Sequence, residues 1–154
     1  MNTLTWQTAT LTQLSAEALY ALLRLRVDVF VVEQNCAYPE LDGKDTHPDT
    51  LHVLGRNAEG ELIACARIVP PGLSYPQASI GRVATAQGQR GSGLGHHLIE
   101  EALRQTQARW PQQDIQIGAQ LYLQAFYEGH GFMAVSAPYL EDDIPHVDMI
   151  KPYA

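Results

Sequence analysis

The chain has 154 residues, of which 45% are hydrophobic, and this length and composition suit a single globular domain over residues 1–154. The formal net charge is −7 and the sequence has no cluster of lysine or arginine, which argues against a nucleic-acid partner. The acidic balance favours an amine-bearing or otherwise cationic partner through long-range steering, although an acidic surface needs no partner to be soluble.

The N-terminal residues carry no basic or apolar signal segment, and no apolar run reaches the ~18 residues that a bilayer span requires. We therefore expect a cytoplasmic protein with no membrane partner. In that compartment the two cysteines, Cys36 and Cys65, are expected to be reduced thiols rather than a disulfide.

Apolar periodicity and turn-forming residues predict alternating strands and helices. Thr12 or Ser15 can cap the first helix, whose apolar residues from Leu14 to Val29 follow the i, i+4 spacing. In chain order we predict a strand at 4–10, a helix at 14–29, a long loop at 34–49, a hairpin of strands at 51–56 and 61–69, a strand at 78–85, a helix from 94 to about 110, a strand at 115–119, a short helix at 121–128, and strands at 132–138 and 145–150. Antiparallel neighbours with helices at the crossovers predict a mixed sheet covered on both faces.

The most informative segment is the glycine-rich sequence Gln-Arg-Gly-Ser-Gly-Leu-Gly at residues 89–95, between the strand at 78–85 and a helix. The first N–H groups of a helix have no partner within it, and glycine lets the backbone approach a phosphate, so this arrangement predicts an anion site. A Walker loop would need Gly-Lys-Ser/Thr, and the dinucleotide fingerprint would need a glycine at His96, so neither nucleotide motif fits. A plain helix-capping turn is the alternative without a function.

A second motif lies at residues 126–132, Phe-Tyr-Glu-Gly-His-Gly-Phe. It resembles the Tyr-x-x-x-Gly-Phe signature that ends the last helix of the GNAT acyltransferases, the acetyl-CoA-dependent superfamily. Arg90-x-x-Gly93-x-Gly95 resembles the pyrophosphate loop of the same superfamily, at a suitable distance from the second motif. Three further segments resemble its ElaA branch: residues 25–36, 38–43 and 142–146. The chain is identified as a member of this family over nearly its whole length.

The resemblance implies an α/β fold of the GNAT type, with a central mixed, mostly antiparallel sheet of about seven strands and helices on both faces. The strand before the glycine-rich sequence and the next strand would splay apart to admit the cofactor arm. Backbone N–H groups of residues 90–96 would bind the pyrophosphate, main-chain groups of Val83 and Thr85 would pair with the pantetheine arm, and the N–H of Val83 or Ala84 would face the thioester carbonyl. Gln120 stands where many relatives carry an asparagine that contacts the arm. The residues so assigned to acetyl-CoA are Val83, Ala84, Thr85, Arg90, Gly91, Ser92, Gly93, Leu94, Gly95, His96, Gln120 and Tyr127.

Tyr127 is the candidate general acid, because the resemblance places it at the tyrosine of the second motif. A phenol with a pKa near 10 is protonated at neutral pH and can give its proton to a thiolate leaving group. The alternative is an aromatic core residue beside Phe126.

Two residues are candidates for the base that accepts a proton from the amine. Glu33 lies just before the long loop at 34–49, and loops of that length in compact domains are usually functional or disordered. Its alternative is a solvated carboxylate or a salt bridge with Arg26. His146 follows Pro145 in a segment expected to border the same cleft, as base or substrate contact.

Other constellations are weaker. His47, Asp49 and His52, or Asp42 with Asp45, match no structural zinc spacing, so we expect no metal. His52 is expected to be a packed core histidine, and Cys36 a small buried thiol rather than a nucleophile. Arg26 with Phe30 resembles the Arg-x-x-x-Phe of acyl-homoserine-lactone synthases, but the chain is short for that activity.

The resemblance therefore implies an N-acetyltransferase that moves an acetyl group from acetyl-CoA to an unidentified primary amine by direct transfer in a ternary complex. The acceptor could be a polyamine-like or amino-acid-like metabolite, or a protein lysine or N-terminus. The alternative is a non-catalytic sensor or interaction module of the same fold that binds acyl-CoA. A homodimer is compatible with the sequence.

Overall fold

A computed structural model describes residues 3–153, within which eight strands form one sheet. The strands are β1 (Thr5–Ala9), β2 (Leu51–Arg56), β3 (Leu62–Val69), β4 (Ala78–Thr85), β5 (Ile115–Gln120), β6 (Met133–Ala134), β7 (Tyr139–Glu141) and β8 (Ile144–Lys151). The helices are α1 (Ala16–Val27), which continues into a π-helical turn at Asp28–Glu33, α2 (Leu94–Arg109) and α3 (Gln124–Glu128).

The strands lie side by side in the order β1, β2, β3, β4, β5, β8 and β6, and β7 pairs with β8. Within residues 3–153 the β4–β5 pair is parallel and the other pairs are antiparallel. The sheet is therefore mixed and mostly antiparallel, as predicted, with eight strands where about seven were expected.

Two cores lie on opposite faces of the sheet, because neighbouring strand residues alternate in direction. Leu54 packs in the core under α1 with Leu22. The adjacent Val53 packs in the core under α2 with Leu98. Ser15 rather than Thr12 caps α1, since its Oγ accepts the N–H of Ala18 at 3.1 Å. The predicted helices on both faces are confirmed.

The C-terminal strands differ from the prediction. The strand expected at 132–138 is limited to the two residues of β6, because Ser136 turns its side chain to the backbone N–H of Asp148 and Pro138 has no N–H to donate. A further strand, β7, forms a hairpin with β8 through Asp142 and Asp143, whose φ values of +50° and +62° suit a tight hairpin turn.

A β-bulge in β4 shapes the middle of the sheet. Cys65 pairs with Ala84 and Arg67 with Gly81, so two residues of β4, Arg82 and Val83, fill the space that one residue fills on β3. Arg82 has a φ of +50°, a left-handed conformation that costs a non-glycine residue about 1–2 kcal/mol. The surrounding contacts must offset this strain.

β4 and β5 separate along their length. Among the described residues they pair at two positions, Ala78 with Ile115 and Ser79 with Gln116. Beyond these positions the backbone edge of β4 from Ile80 to Thr85 faces a gap rather than β5. The splay that the resemblance implied is therefore present.

Six charged side chains form an ion cluster that joins the long loop to the sheet: Arg26 of α1, Glu40, Asp42 and Asp45 of the loop, Arg67 of β3 and Arg82 of β4. Arg26 is 1% exposed, and its Nε and Nη1 lie 2.5 Å from Glu40 and 2.7 Å from Asp45. Arg67 binds both oxygens of the Asp42 carboxylate at 2.8 Å.

Arg82 also binds the Glu40 carboxylate, with its Nε at 3.0 Å, and its Nη2 donates to the Glu40 carbonyl at 3.1 Å. Burial alone would raise the pKa of Asp45, but hydrogen bonds and charge from Arg26 and Arg67 hold that pKa below its usual range. Asp45 therefore stays ionised at neutral pH, and the cluster fixes the strained residue of the bulge to the loop.

We predict that Arg26→Met lowers the free energy of unfolding by about 3–5 kcal/mol, because it leaves two carboxylates buried without their main cation. Arg24→Met is the matched control on the same helix. Arg24 is exposed, and its ion pair with Asp28 is long, at 3.9 Å. Its loss should therefore change the free energy of unfolding by less than about 0.5 kcal/mol. Urea unfolding of both variants measures the difference; equal midpoints would show that the ion cluster is dispensable.

Candidate active site

A cleft of about 900 Å³ opens where β4 and β5 separate. Its walls come from these two strands, the π-helical turn, the residues around α3 and the β7–β8 hairpin, and the long loop closes part of one end. This volume lies within the range of small-molecule and cofactor sites, about 300–1,000 Å³.

The segment 89–95, here called the glycine loop, leads from β4 into α2. Gly91 and Gly93 have φ values of +91° and +80°, and a Cβ at either position would meet no atom within 4 Å. Glycine is therefore required for the left-handed backbone rather than for lack of space. The bond from His97 N–H to the Gly93 carbonyl, 3.1 Å long, comes first in α2, so the N–H groups of residues 94–96 belong to the unpaired first turn.

Arg90 of the glycine loop is bound to Glu33 of the π-helical turn. Its Nη1 and Nη2 lie 2.6 and 2.9 Å from the two carboxylate oxygens, and Nη2 also donates to the Thr85 carbonyl at 2.9 Å. The hydrogen bonds from Arg90 lower the pKa of Glu33. The salt bridge that the sequence suggested between Glu33 and Arg26 is wrong, because Arg26 lies in the ion cluster.

Gln120 at the end of β5 is bound by Gln34, the residue that follows Glu33. Its side-chain amide exchanges hydrogen bonds with that of Gln34 at 3.3 and 3.5 Å. Glu33 and Gln34, adjacent in sequence, thus connect to the glycine loop and to β5, which form opposite sides of the cleft mouth.

Tyr127 lies on α3 and lines the cleft with only 7% of its surface exposed. Its ring makes edge-to-face contacts with Phe126 and Phe132, with centroids 5.1 and 5.8 Å apart. Burial raises the pKa of Tyr127 to about 12. The hydroxyl therefore keeps its proton at neutral pH, and the ring also serves as a core aromatic.

His146 of β8 is buried beside the cleft and stacks on Tyr139 with centroids 6.0 Å apart. Its Nδ1 lies 2.7 Å from the carbonyl of Ile144. A carbonyl only accepts hydrogen bonds, so Nδ1 carries the proton and Nε2 of the neutral ring is left with a lone pair. The Glu141 carboxylate is 3.7 Å from Nε2.

The cleft brings together most of the residues predicted for the site. Those that line it are Glu33, Val83, Ala84, Thr85, Arg90, Gly95, Gln120, Tyr127 and His146. Gly91, Ser92, Gly93, Leu94 and His96 belong to the glycine loop and the first turn of α2, next to Arg90 and Gly95. Leu94 is buried under the helix, and His96 Nδ1 lies 2.9 Å from His130 Nε2.

Two clusters of polar side chains at or beside the cleft were not predicted from the sequence. The first is the set of arginines in the ion cluster, of which Arg67 and Arg82 line the cleft. The second is formed by Tyr75, Tyr139 and Asp148, where the Tyr139 hydroxyl donates to the Asp148 carboxylate at 2.6 Å. Their partners are distant in sequence, and the acidic content of the loop was the available signal for the first.

The residues considered for a metal site have other partners. His47 Nδ1 accepts the N–H of Asp49 at 3.0 Å, Asp49 pairs with Arg109 at 2.9 Å, and His52 Nε2 lies 3.3 Å from the Asp45 carbonyl. Residues 3–153 contain no group of three or more His, Cys, Asp or Glu placed to hold a metal ion. His52 is buried, as expected, and burial lowers its pKa.

Both cysteines are free thiols. Cys65 is buried, and burial raises its pKa to about 12, so it is an inert thiol. Cys36 is partly exposed at the cleft rather than buried as predicted, and its Sγ lies 3.7 Å from the Asp142 carbonyl. None of the helices in the described part of the chain has the length and apolar character needed to cross a bilayer.

Several known proteins are similar to this chain in fold and in sequence. Residues 29–152 match the acetyltransferase (GNAT) domain family. Protein ElaA of Escherichia coli K12 is 42% identical over 146 residues, 95% of each chain. The crystal structure of an acyl-CoA N-acyltransferase from Pseudomonas aeruginosa has a TM-score of 0.91 and 44% identity, covering 97% of this chain and 99% of that one. The crystal structure of E. coli ElaA has a TM-score of 0.90 and 40% identity over the same shares. The chain therefore belongs to the GNAT acetyltransferase family and has its fold, which implies an acyl-CoA co-substrate.

Proposed function

We propose that the protein transfers an acetyl group from acetyl-CoA to a primary amine by direct attack in a ternary complex. The observation that carries the proposal is the separation of β4 from β5, which leaves an unpaired strand edge leading to the glycine loop, with Tyr127 lining the same cleft. A cytoplasmic location and a homodimer remain predictions.

The residues present fit an acyl-CoA. The glycine loop offers the N–H groups of the first turn of α2 to a pyrophosphate, and its left-handed glycines leave that backbone open to close approach. The free edge of β4 from Ile80 to Thr85 can pair with the amide groups of a pantetheine arm as an added strand. A thioester at the end of the arm would then lie near the bulge.

The amine nitrogen attacks the thioester carbonyl, so a C–N bond forms, negative charge develops on the carbonyl oxygen, and the C–S bond then breaks. Backbone N–H groups at Val83 or Ala84 are the proposed donors to that oxygen, and donors of this kind typically contribute ~3 kcal/mol. The departing thiolate takes the proton of Tyr127. The proton lost by the amine goes to a base or to water.

A tyrosine with a pKa of about 12 is too weak an acid to protonate a thiolate readily in water, where the pKa of a thiol is lower. Inside the protein the comparison changes, because burial raises the pKa of a thiol as well; that of Cys65 is also about 12. A thiolate that leaves beside the buried Tyr127 is destabilised in the same way, and this increases its basicity toward the proton of Tyr127.

His146 has the better geometry of the two candidate bases. Its Nδ1–H is fixed by the Ile144 carbonyl, which leaves Nε2 able to accept a proton. Glu33 is already bonded at both oxygens to Arg90, and its lowered pKa makes it a weaker base. We propose that His146 is the base and that Glu33 is a salt-bridge partner that holds Arg90 away from the cofactor.

A non-catalytic acyl-CoA sensor of the same fold is the second candidate. One observation is compatible with a sensor: the Tyr127 ring packs in the core, so a protein without catalytic activity would also need an aromatic ring at this position. Release of CoA from acetyl-CoA in the presence of an amine panel distinguishes an enzyme from a sensor, since a sensor binds without turnover.

We predict that Gly93→Val abolishes most of the affinity for acetyl-CoA, because a β-branched residue resists the left-handed conformation and blocks approach to the N–H groups of α2. Gly60→Val is the matched control. Gly60 has a φ of +81° with no atom within 4 Å of a Cβ, but it lies in the β2–β3 turn. Calorimetric titration of both folded variants should give a loss for Gly93→Val alone; equal affinities would reduce the glycine loop to a helix cap.

We predict that Tyr127→Phe lowers kcat by ~10²–10⁴ with less than about a tenfold change in acetyl-CoA affinity, because it removes the acid and leaves the ring packing intact. Tyr20→Phe, at an exposed position on α1, is the control. The wild-type rate should not fall through deprotonation of Tyr127 below pH ~10, two units under its pKa of about 12. A stable Tyr127→Phe variant with normal kcat would remove Tyr127 from the mechanism.

We predict that His146→Gln lowers kcat at least tenfold, whereas Glu33→Gln leaves kcat unchanged and tightens acetyl-CoA binding a few-fold by releasing Arg90. An exposed ion pair contributes about 0.2–1 kcal/mol, which sets the size of that second effect. Steady-state rates from pH 6 to 9 with calorimetry separate the two roles, and Glu59→Gln in the β2–β3 turn is the control. A loss of kcat in Glu33→Gln at unchanged affinity would make Glu33 the base instead.

A further inference from the structure

One end of the cleft lies away from the glycine loop. Arg90 contacts Thr85 at the C-terminal end of β4, whereas Ser74 and Tyr75 precede the N-terminal end of that strand. Lys44 of the long loop reaches Ser74, its Nζ donating to the Ser74 Oγ at 2.8 Å. All three side chains line the cleft.

Lys44 brings a positive charge that the neighbouring ion cluster does not neutralise. The cluster contains three arginines and three carboxylates, which balance one another. The two of these carboxylates nearest to Lys44 in sequence already have partners. Asp45 is bound by Arg26 at 2.7 Å and by Arg67 at 3.2 Å, and Asp42 is bound by Arg67 at both oxygens and by Arg82 at 3.3 Å. No ion pair among residues 3–153 includes the Lys44 ammonium, which has three donors and makes one hydrogen bond, to Ser74.

A carboxylate and two tyrosine hydroxyls surround Gly118 of β5, which lines the same cleft. A Cβ placed on Gly118 of β5 would meet the Tyr75 hydroxyl at 2.9 Å, the Tyr139 hydroxyl at 3.2 Å and Asp148 Oδ1 at 3.7 Å, so the three polar groups converge on Gly118. Of these residues, Gly118 and Tyr75 line the cleft. Tyr75 follows Ser74 directly in the chain, which links this point to Lys44. Because Gly118 has no side chain, the two hydroxyls can pack directly against its Cα.

We propose that the acceptor is a small amine that also carries an anionic group, a carboxylate or a phosphate. Lys44 binds the anionic group, and the hydroxyl of Tyr75, with Tyr139 and Asp148 behind it, accepts a hydrogen bond from the amine. This inference rests on the proposed function, since it assigns the acceptor of the same cleft. It narrows the acceptors that the sequence left open to the amino-acid-like class.

The choice rests on Lys44 at this end of the cleft rather than on the net charge of the chain. Two acidic side chains that also line the cleft, Glu141 and Asp142, belong to the β7–β8 hairpin. The net charge of −7 favours cationic partners at long range, but screening at physiological salt limits that attraction to about 8 Å. Within the cleft, a polyamine would bring its second ammonium group against Lys44, where like charges repel. A ligand carboxylate at this position would instead accept a charge-assisted hydrogen bond from Lys44.

The test compares acceptors that differ in the anionic group alone, using protein saturated with CoA. The common amino acids are titrated beside the amines that their decarboxylation leaves, such as arginine with agmatine and histidine with histamine, and phosphoethanolamine is titrated beside ethanolamine. The amino acid pairs test for a carboxylate and the last pair for a phosphate. Saturation with CoA is itself measured first, so a failure of the proposed function appears as missing CoA binding and would overturn both proposals.

In at least one pair the anionic member should bind about tenfold more tightly, and acetylation rates should follow the same order. Lys44→Met should reduce that ratio to about twofold or less, since it keeps the length of the side chain and removes the charge. Lys151→Met is the matched control, because Lys151 is the other lysine of the sequence and does not line the cleft. Three results would each overturn the inference: tighter binding of the amines that lack the anionic group, an unchanged ratio in Lys44→Met, or no binding of any anionic member to the CoA complex.

Discussion

The ion pairs of Glu40 with Arg26 and Arg82 are the interaction on which the rest of the structure depends. They join a helix, a long loop and the strained residue of the β4 bulge at one buried carboxylate. A buried carboxylate without partners would be costly, so the loop can pack here only when both arginines are in place. The bulge that Arg82 occupies also changes the course of β4, which parts from β5 after two paired positions. The cleft and the loop beside it therefore share one electrostatic support.

The chemistry follows from how this cleft divides its polar groups. The N–H groups near the glycine loop suit an anion, and the buried surroundings of Tyr127 keep its proton in place until a strong base forms beside it. Glu33 and Gln34 hold the two sides of the mouth through Arg90 and Gln120, and these contacts must rearrange or adapt when a cofactor arm lies along β4. At the far end, Lys44 stands as a cation without a carboxylate partner among the described residues. Each of these groups suits a different part of the ligands: the N–H groups suit a phosphate, Tyr127 the departing thiolate, and Lys44 an anionic group.

Much of the fold could be predicted because its signals are local. The hairpin strands and β4 lie within a residue of their predicted bounds, and α2 begins directly after the left-handed Gly93 as the glycine-rich sequence indicated. The strand β7 was missed because three residues acquire strand character only through pairing with β8. The same limit applies to the site: Glu33 and Arg90 are 57 residues apart, and Arg82 and Glu40 are 42 apart. Periodicity and motif spacing carry no information about such pairs, so the ion cluster emerged from the three-dimensional structure alone, whereas the motif residues came from family resemblance.

The central claim is that the free edge of β4 and the glycine loop together hold an acyl-CoA. Hydrogen–deuterium exchange with and without CoA tests it most directly, because it reports on the backbone N–H groups that the account requires. We expect slower exchange in peptides that cover residues 80–96 when CoA is present. Peptides that cover β2, which is paired on both sides, should be unaffected. Saturating CoA that leaves residues 80–96 unprotected, or that protects another part of the chain instead, would contradict the account.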